Sequence, residues 1–356
     1  MTITKNKKLK KTVNSEKTNF IKNPKKVLAY GLASLAAASG AQAAQVTQSQ
    51  TAITAYANNA DIVTYNNAAA STVLAGDDTY ASGTTTGSTD TVWTISNGHT
   101  LTITGILDTQ SAGDMTVNLT GTDTQLALVA AWTEHGNDAG DQHHINLGTG
   151  TTVSMTTDVT RIEEYNGSTA GAGTMSVGGT TTFSEGVGAT TALGTISIVT
   201  GKVATFSEAV KATTITAVGS ATFAKAVTAT NINLTASTMS VINAGAIAVA
   251  GTISDVSGTT ALVVKNATAT DAPSLTTFGG AVTVDTITVG SATLSGAAKF
   301  SLATVSNISV LGGDHDNEDS TVELVGAHTG NLTITTGTNT GLATATLSGG
   351  TAVKSL

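Results

Sequence analysis

Phe206-Ser207-Glu208-Ala209-Val210 returns as Phe223-Ala224-Lys225-Ala226-Val227, and on that return the reading of the fold depends. Phe183-Ser184-Glu185-Gly186-Val187 and Phe278-Gly279-Gly280-Ala281-Val282 are further versions of Phe-x-x-(Ala/Gly)-Val. Nine residues after the last three phenylalanines comes an isoleucine, namely Ile215, Ile232 and Ile287, each inside an alternating strand-like run. The phenylalanines are 23, 17 and 55 residues apart, and the widest gap has room for degenerate copies. Periods of this size belong to repeat architectures in which one unit cannot bury its apolar face alone. The expected fold is therefore all-β: a single-stranded parallel β-helix, or β-solenoid, with degenerate rungs of about 17–23 residues.

Composition agrees with a small-residue coil. Of 356 residues, 11% are charged, 38 are Gly and 4% are aromatic, while 40% are hydrophobic. The core must be built from Ala, Val, Ile and Leu, and there is enough of it to rule out wholesale disorder. Without cysteine there is neither a disulfide framework nor a thiolate metal site. Nine of the 16 Lys and Arg fall within the first 26 residues, leaving 7 basic residues against 23 acidic ones in the rest. That balance offers no footprint for phosphate contacts, so nucleic acid is not an expected partner.

Residues 1–43 read as an export signal: a basic arm to Lys26, an apolar run from Val27 to Ala38, and the small-residue site Ala41-Gln42-Ala43. The apolar run is shorter than the ~20 residues a membrane span needs, and no later stretch is a membrane helix. Residues 44–90, rich in Ala, Asn and Thr, are expected to be irregular or to cap the first rung. The solenoid is expected over 91–356, with clean alternation in Val92-Trp93-Thr94-Ile95, Leu101-Thr102-Ile103-Thr104 and Met115-Thr116-Val117-Asn118-Leu119. Gln125 to Trp132 reads either as a buried strand or as a short helix. At ~20 residues and about 4.8 Å per rung, the chain beyond the signal gives about 12–15 rungs. Thr, Ser and Asn alternate with the core, and stacked rungs invite hydroxyl or amide ladders between like positions.

Two polar insertions interrupt the alternation, at 134–144 and 312–320. The first carries Asp138, Asp141, His143 and His144, imidazole and carboxylate groups suited to a divalent ion but not at a zinc-finger spacing. The second carries Asp314, Asp316 and Asp319 with Glu318, oxygen ligands of the kind Ca²⁺ takes, though without the twelve-residue loop of an EF-hand. Solvated loops and no bound cofactor are the expectation, with Ca²⁺ the candidate if there is one. Glu163-Glu164 and Asp77-Asp78 pair acids in sequence, but glycoside hydrolysis needs two carboxylates facing one cleft. Arg161 is the single arginine, which argues against a lyase of acidic sugars. No nucleophile elbow, Walker loop or dinucleotide fingerprint is present, and the chain is not expected to be an enzyme.

The repeated phrases with Ile215, Ile232 and Ile287, set in Thr/Ala/Gly-rich surroundings, resemble the passenger regions of rickettsial surface antigens, the autotransporters that include outer-membrane protein B. The long basic export signal is also similar to theirs. The resemblance covers about 180–350 and implies a right-handed parallel β-helix displayed outside a bacterium. Family members end in a membrane β-barrel, and no such strand series precedes Leu356. The resemblance implies an antigen or adhesin at the cell surface or outer membrane, or secreted, that meets a host-cell protein or glycan. A secreted carbohydrate-active β-helix, or a coat protein that self-associates through the solenoid ends, are the alternatives.

Overall fold

The computed structural model describes the side chains of 93–95, 98–103, 115–129, 143–156, 162, 164–269, 273–313, 319–336 and 341–348. For Gln45–Gln48, Ala52–Ile53, Ile62–Asn66, Thr72–Leu74, Asp78–Tyr80, Ser82–Thr86, Leu107–Thr109 and Trp132–Glu134 it describes the strand backbone alone.

Short alternating strands separated by Gly, Asn and Ser corners coil into a parallel β-solenoid, as the repeat predicts. Among the described residues every strand pairing is parallel and joins one turn of the coil to the next, as in His143–Leu147 on Met115–Leu119. Strands fall into a 14-stranded sheet, an 8-stranded sheet and sheets of five and six strands. Thirteen strands follow one another along the longest sheet, from Asp78–Tyr80 to Ala343–Leu347, and the nine from Ala172–Val177 onward make about nine turns of the coil. Strand pairing also reaches back to Gln45–Gln48, within the segment expected to be irregular or to cap the first rung, and ties it to Ile62–Asn66. Gln125–Leu128 is a strand with alternate side chains buried, which settles the strand-or-helix ambiguity left by its short apolar run. Among the described residues no helix is long and apolar enough to cross a membrane.

Alternation decides what each strand buries. Successive side chains on a strand point to opposite faces, so Val153, Met175, Ile196, Ile215, Ile232 and Ile253 enter the core in register from successive turns of the long sheet. On the 8-stranded sheet Phe183, Phe206 and Phe223 stack face to face, with ring centroids 5.0 and 5.1 Å apart and planes within 12°. Tyr165 closes this stack edge-on against Phe183 at 5.7 Å.

The fourth copy of the repeated phrase departs from expectation. Phe278 lies on the long sheet, paired with Val249 and stacked on Phe300 at 4.8 Å. Val249 in turn pairs with Val227, and Val227 with Val210, so Phe278 occupies the column of the phrase's valine. Ile287 likewise lies on the 8-stranded sheet, beside Leu262, whereas Ile215 and Ile232 pair on the long one. The phrase is a tight corner between two inward positions, and both corners of the coil accept it. Eight residues of sequence separate the strands Ala261–Asn266 and Leu275–Phe278, where three separate Thr238–Asn243 from Ile247–Ser257, and the phrase falls one corner later.

Polar corners are satisfied from neighbouring turns. Buried Asn243 donates from Nδ2 to the carbonyl of Ser274 at 2.6 Å and to the Thr276 hydroxyl at 3.0 Å. Asn266, stacked on Asn243, donates to the Ser295 hydroxyl at 3.0 Å. Buried amides of this kind specify which turn lies on which, because leaving one unpaired costs about 1–3 kcal/mol.

Candidate functional site

The corner between the long and the 8-stranded sheets carries an open groove of about 440 Å³. Asp255, Val284, Asp285, Val305, Asn307 and Thr329 line it, with Ser306 and Gly330 in its floor. They come from the same corner of four successive turns, as Asp255, Val284-Asp285, Val305-Ser306-Asn307 and Thr329-Gly330, brought together by coiling. Asp285 is held by its neighbour below: the backbone N–H of Thr260 donates to its Oδ2 at 2.8 Å, and its own N–H donates to the Thr260 hydroxyl at 3.3 Å. The backbone N–H of Asn307 donates to the Asp285 carbonyl at 3.0 Å, and that of Asn331 donates to Asn307 Oδ1 at 3.3 Å. The Ser306 hydroxyl is taken up by the N–H of Val284 at 3.2 Å. The groove therefore presents two exposed carboxylates, an amide and the exposed methyls of Val305 to solvent. Such a mixture suits hydroxyl-rich ligands, which carboxylates and amides bind as hydrogen-bond acceptors and donors.

The sequence-predicted candidates are dispersed. His143 and His144 open the strand His143–Leu147, where alternation sends His143 into the core and leaves His144 half exposed. The two imidazoles therefore face opposite sides of one strand and do not form one ligand set. At the two ends of the expected 134–144 loop, Glu134 belongs to the strand Trp132–Glu134 and His143 and His144 belong to the strand His143–Leu147. His144 Nδ1 lies 3.6 Å from Glu164 Oε2. That carboxylate also accepts from Asn166 Nδ2 at 2.7 Å and from the Thr190 hydroxyl at 3.2 Å. These bonds make it a clamp between turns. Asp319 Oδ1 accepts the backbone N–H of Leu342 at 2.8 Å, again fastening one turn to the next. Among the described residues no three His, Asp or Glu side chains converge as a metal site. Asp138, Asp141, Asp314, Asp316, Glu318, Asp77 and Glu163 lie outside the residues whose side chains are described.

The outward columns answer the expectation of polar ladders differently for amides and hydroxyls. Asn146 Nδ2 donates to Asn118 Oδ1 at 3.0 Å across one turn. Among the described residues, the outward hydroxyls of the long sheet from Thr152 to Ser254 make no such bridges. Strands lie about 4.8 Å apart, beyond hydrogen-bond reach for short side chains pointing straight out, whereas an amide arm spans the gap. Sequence reasoning missed the groove, which no local motif announces. The hydroxyl columns do have a local signal, the recurring Thr195-Ile196-Ser197, Thr214-Ile215-Thr216 and Thr252-Ile253-Ser254.

No family model matches the chain, and no curated protein or solved structure matches it significantly.

Proposed function

We propose that the chain is a non-enzymatic display scaffold, exported and exposed at a bacterial surface or secreted, whose outward faces and corners contact a host-cell protein or glycan. The observation that carries this reading is the regularity of the coil. About nine turns repeat the same inward stacks and present long columns of Thr, Ser and Asn outward. A regular, repetitive scaffold whose sequence carries polar insertions suits recognition, because binding residues gather on loops and surfaces that a stiff frame holds in place. The basic, apolar and small-residue order of residues 1–43 supports export. The likeness to autotransporter passengers supports display outside the cell.

Protease shaving of intact bacterial cells, followed by an immunoblot for residues 44–356, tests this. Loss of the band from intact cells is the expected result. Protection in intact cells, with digestion only after the outer membrane is opened, overturns the proposal and leaves a periplasmic protein.

One observation favours a second reading, a secreted carbohydrate-active protein: Asp255 and Asp285 share the corner groove. Two carboxylates flanking a sugar are the machinery of glycoside hydrolysis when their separation is right. Release of reducing ends from a neutral polysaccharide, lost in Asp255→Asn and Asp285→Asn, would establish it. The scaffold reading expects no release from either protein.

A further inference from the structure

Two outward columns of the long sheet run in register from Thr152 to Thr252 and from Ser154 to Ser254. Over six turns they carry Thr or Ser at every position except Asn231 and Asn233, and no charged residue interrupts them. Eleven of the twelve side chains are half-buried by their neighbours on the sheet, and Asn231 is exposed. None of the twelve makes a side-chain hydrogen bond to another described residue. Their hydrogen-bonding capacity is left to water.

We propose that this face orders water on a lattice and adsorbs to ice. Its repeat is set by the backbone. Along the coil the columns step by one strand spacing, about 4.8 Å, and across a strand they are two residues apart, about 6.6 Å. This rectangular grid, with hydroxyls at ten of its twelve positions and amides at Asn231 and Asn233, lies near the repeat of oxygen rows on the prism face of hexagonal ice. Water held on it is already arranged as the first layer of the crystal.

Three features of the residues fit that occupant. Threonine is stiff at χ1, so its hydroxyl and methyl keep fixed positions and little rotamer freedom is lost on adsorption. The absence of charge matters because an ion orients its hydration shell around itself and breaks the lattice. Between the columns, Val153, Met175, Ile196, Ile215, Ile232 and Ile253 anchor the same strands in the core, so the grid does not flex. The 8-stranded sheet is less regular: its outward columns include Val203, Ala261, Val263 and Lys265.

The proposal stands apart from the display reading, since it is measured on purified protein and not on cells. The purified full chain, fluorescently labelled, is partitioned into slowly growing ice and assayed for inhibition of ice recrystallisation. Thr195→Tyr with Thr214→Tyr places two rings on the grid, and Thr288→Tyr places one on the 8-stranded sheet as a control. Uptake into ice by the full chain and by Thr288→Tyr is expected. The double variant is expected to be excluded from ice while keeping the circular dichroism and melting temperature of the parent.

Exclusion of the folded full chain from ice overturns the proposal. Uptake of the double variant, or equal loss in Thr288→Tyr, removes the function from this face and overturns it as well. Sedimentation with crystalline cellulose or chitin in place of ice uptake would make the occupant a polysaccharide. A dimer abolished by the double variant, again without ice uptake, would make it a second copy. Either result overturns the assignment to ice.

Discussion

Replacing Phe206 with alanine tests the stacking that holds the coil together. Phe206 is the middle ring of three, 1% exposed, with Phe183 at 5.0 Å on one side and Phe223 at 5.1 Å on the other. Truncating a buried phenylalanine to alanine costs about 3–5 kcal/mol through lost transfer energy and the cavity left behind. Each stacked aromatic pair adds about 0.5–1.5 kcal/mol beyond the area buried, and Phe206 makes two of them, so the upper end of that range applies. Neighbouring rings cannot collapse into the gap, because their own strands hold them a full strand spacing away. In a stacked array, moreover, a turn exchanges energy chiefly with the turns beside it. The damage should therefore be local. Guanidinium unfolding followed by circular dichroism gives the size of the loss, and hydrogen exchange read by mass spectrometry gives its place. Protection should fall over Thr181–Phe183, Val203–Phe206 and Ser220–Phe223 and persist over Ala297–Phe300 and Ser320–Leu324. A loss below about 1 kcal/mol, or an even loss of protection along the coil, would refute the stacking argument.

His328 supplies a pH prediction. It is buried in the core, its Nδ1 is 2.8 Å from the Thr304 hydroxyl, and burial pushes its pKa below the usual 6.5. The unfolded chain then binds a proton that the folded one resists, so stability is full above about 6.5 and declines as pH falls through and below that value. The melting temperature should drop between pH 7 and 5, and His328→Gln should flatten the profile; an unchanged slope in that variant counts against the assignment. Gly251 has φ of +101°, and a Cβ there would meet the carbonyl oxygen of Ala229 on the neighbouring turn. Gly251→Ala should destabilise by at least about 1 kcal/mol, from backbone strain and the close approach together. A denaturation midpoint equal to that of the parent would show that the turn relaxes freely.

Sequence alone determined the architecture, because a solenoid writes its period along the chain. Phe206 and Phe223, Val210 and Val227, and Ile215 and Ile232 are neighbours in space and sit at a constant offset in sequence. Strand alternation likewise gave the inward set without any coordinate. Phase was a different matter. Phe278 matches the phrase yet stands in the valine column, since the phrase encodes only a tight corner and says nothing about which of two corners it turns. The number of residues spent between corners decides that, and a loop may absorb any number of them at little entropic cost. Alternation also separates His143 from His144, adjacent in sequence and on opposite faces of one strand.

The corner groove lay furthest from view. Asp255 and Asp285 are brought to one groove because a turn of the coil returns the chain to the same corner, and neither has a local motif to mark it. The hydroxyl grid was half legible: each Thr-x-Ser or Thr-x-Thr triplet is visible in the sequence, but only parallel pairing without a slip lines the triplets into columns. A one-residue shift of register in a single turn would have turned those hydroxyls inward and the isoleucines out. The hydrophobic column holds the register, and the outward lattice is its consequence.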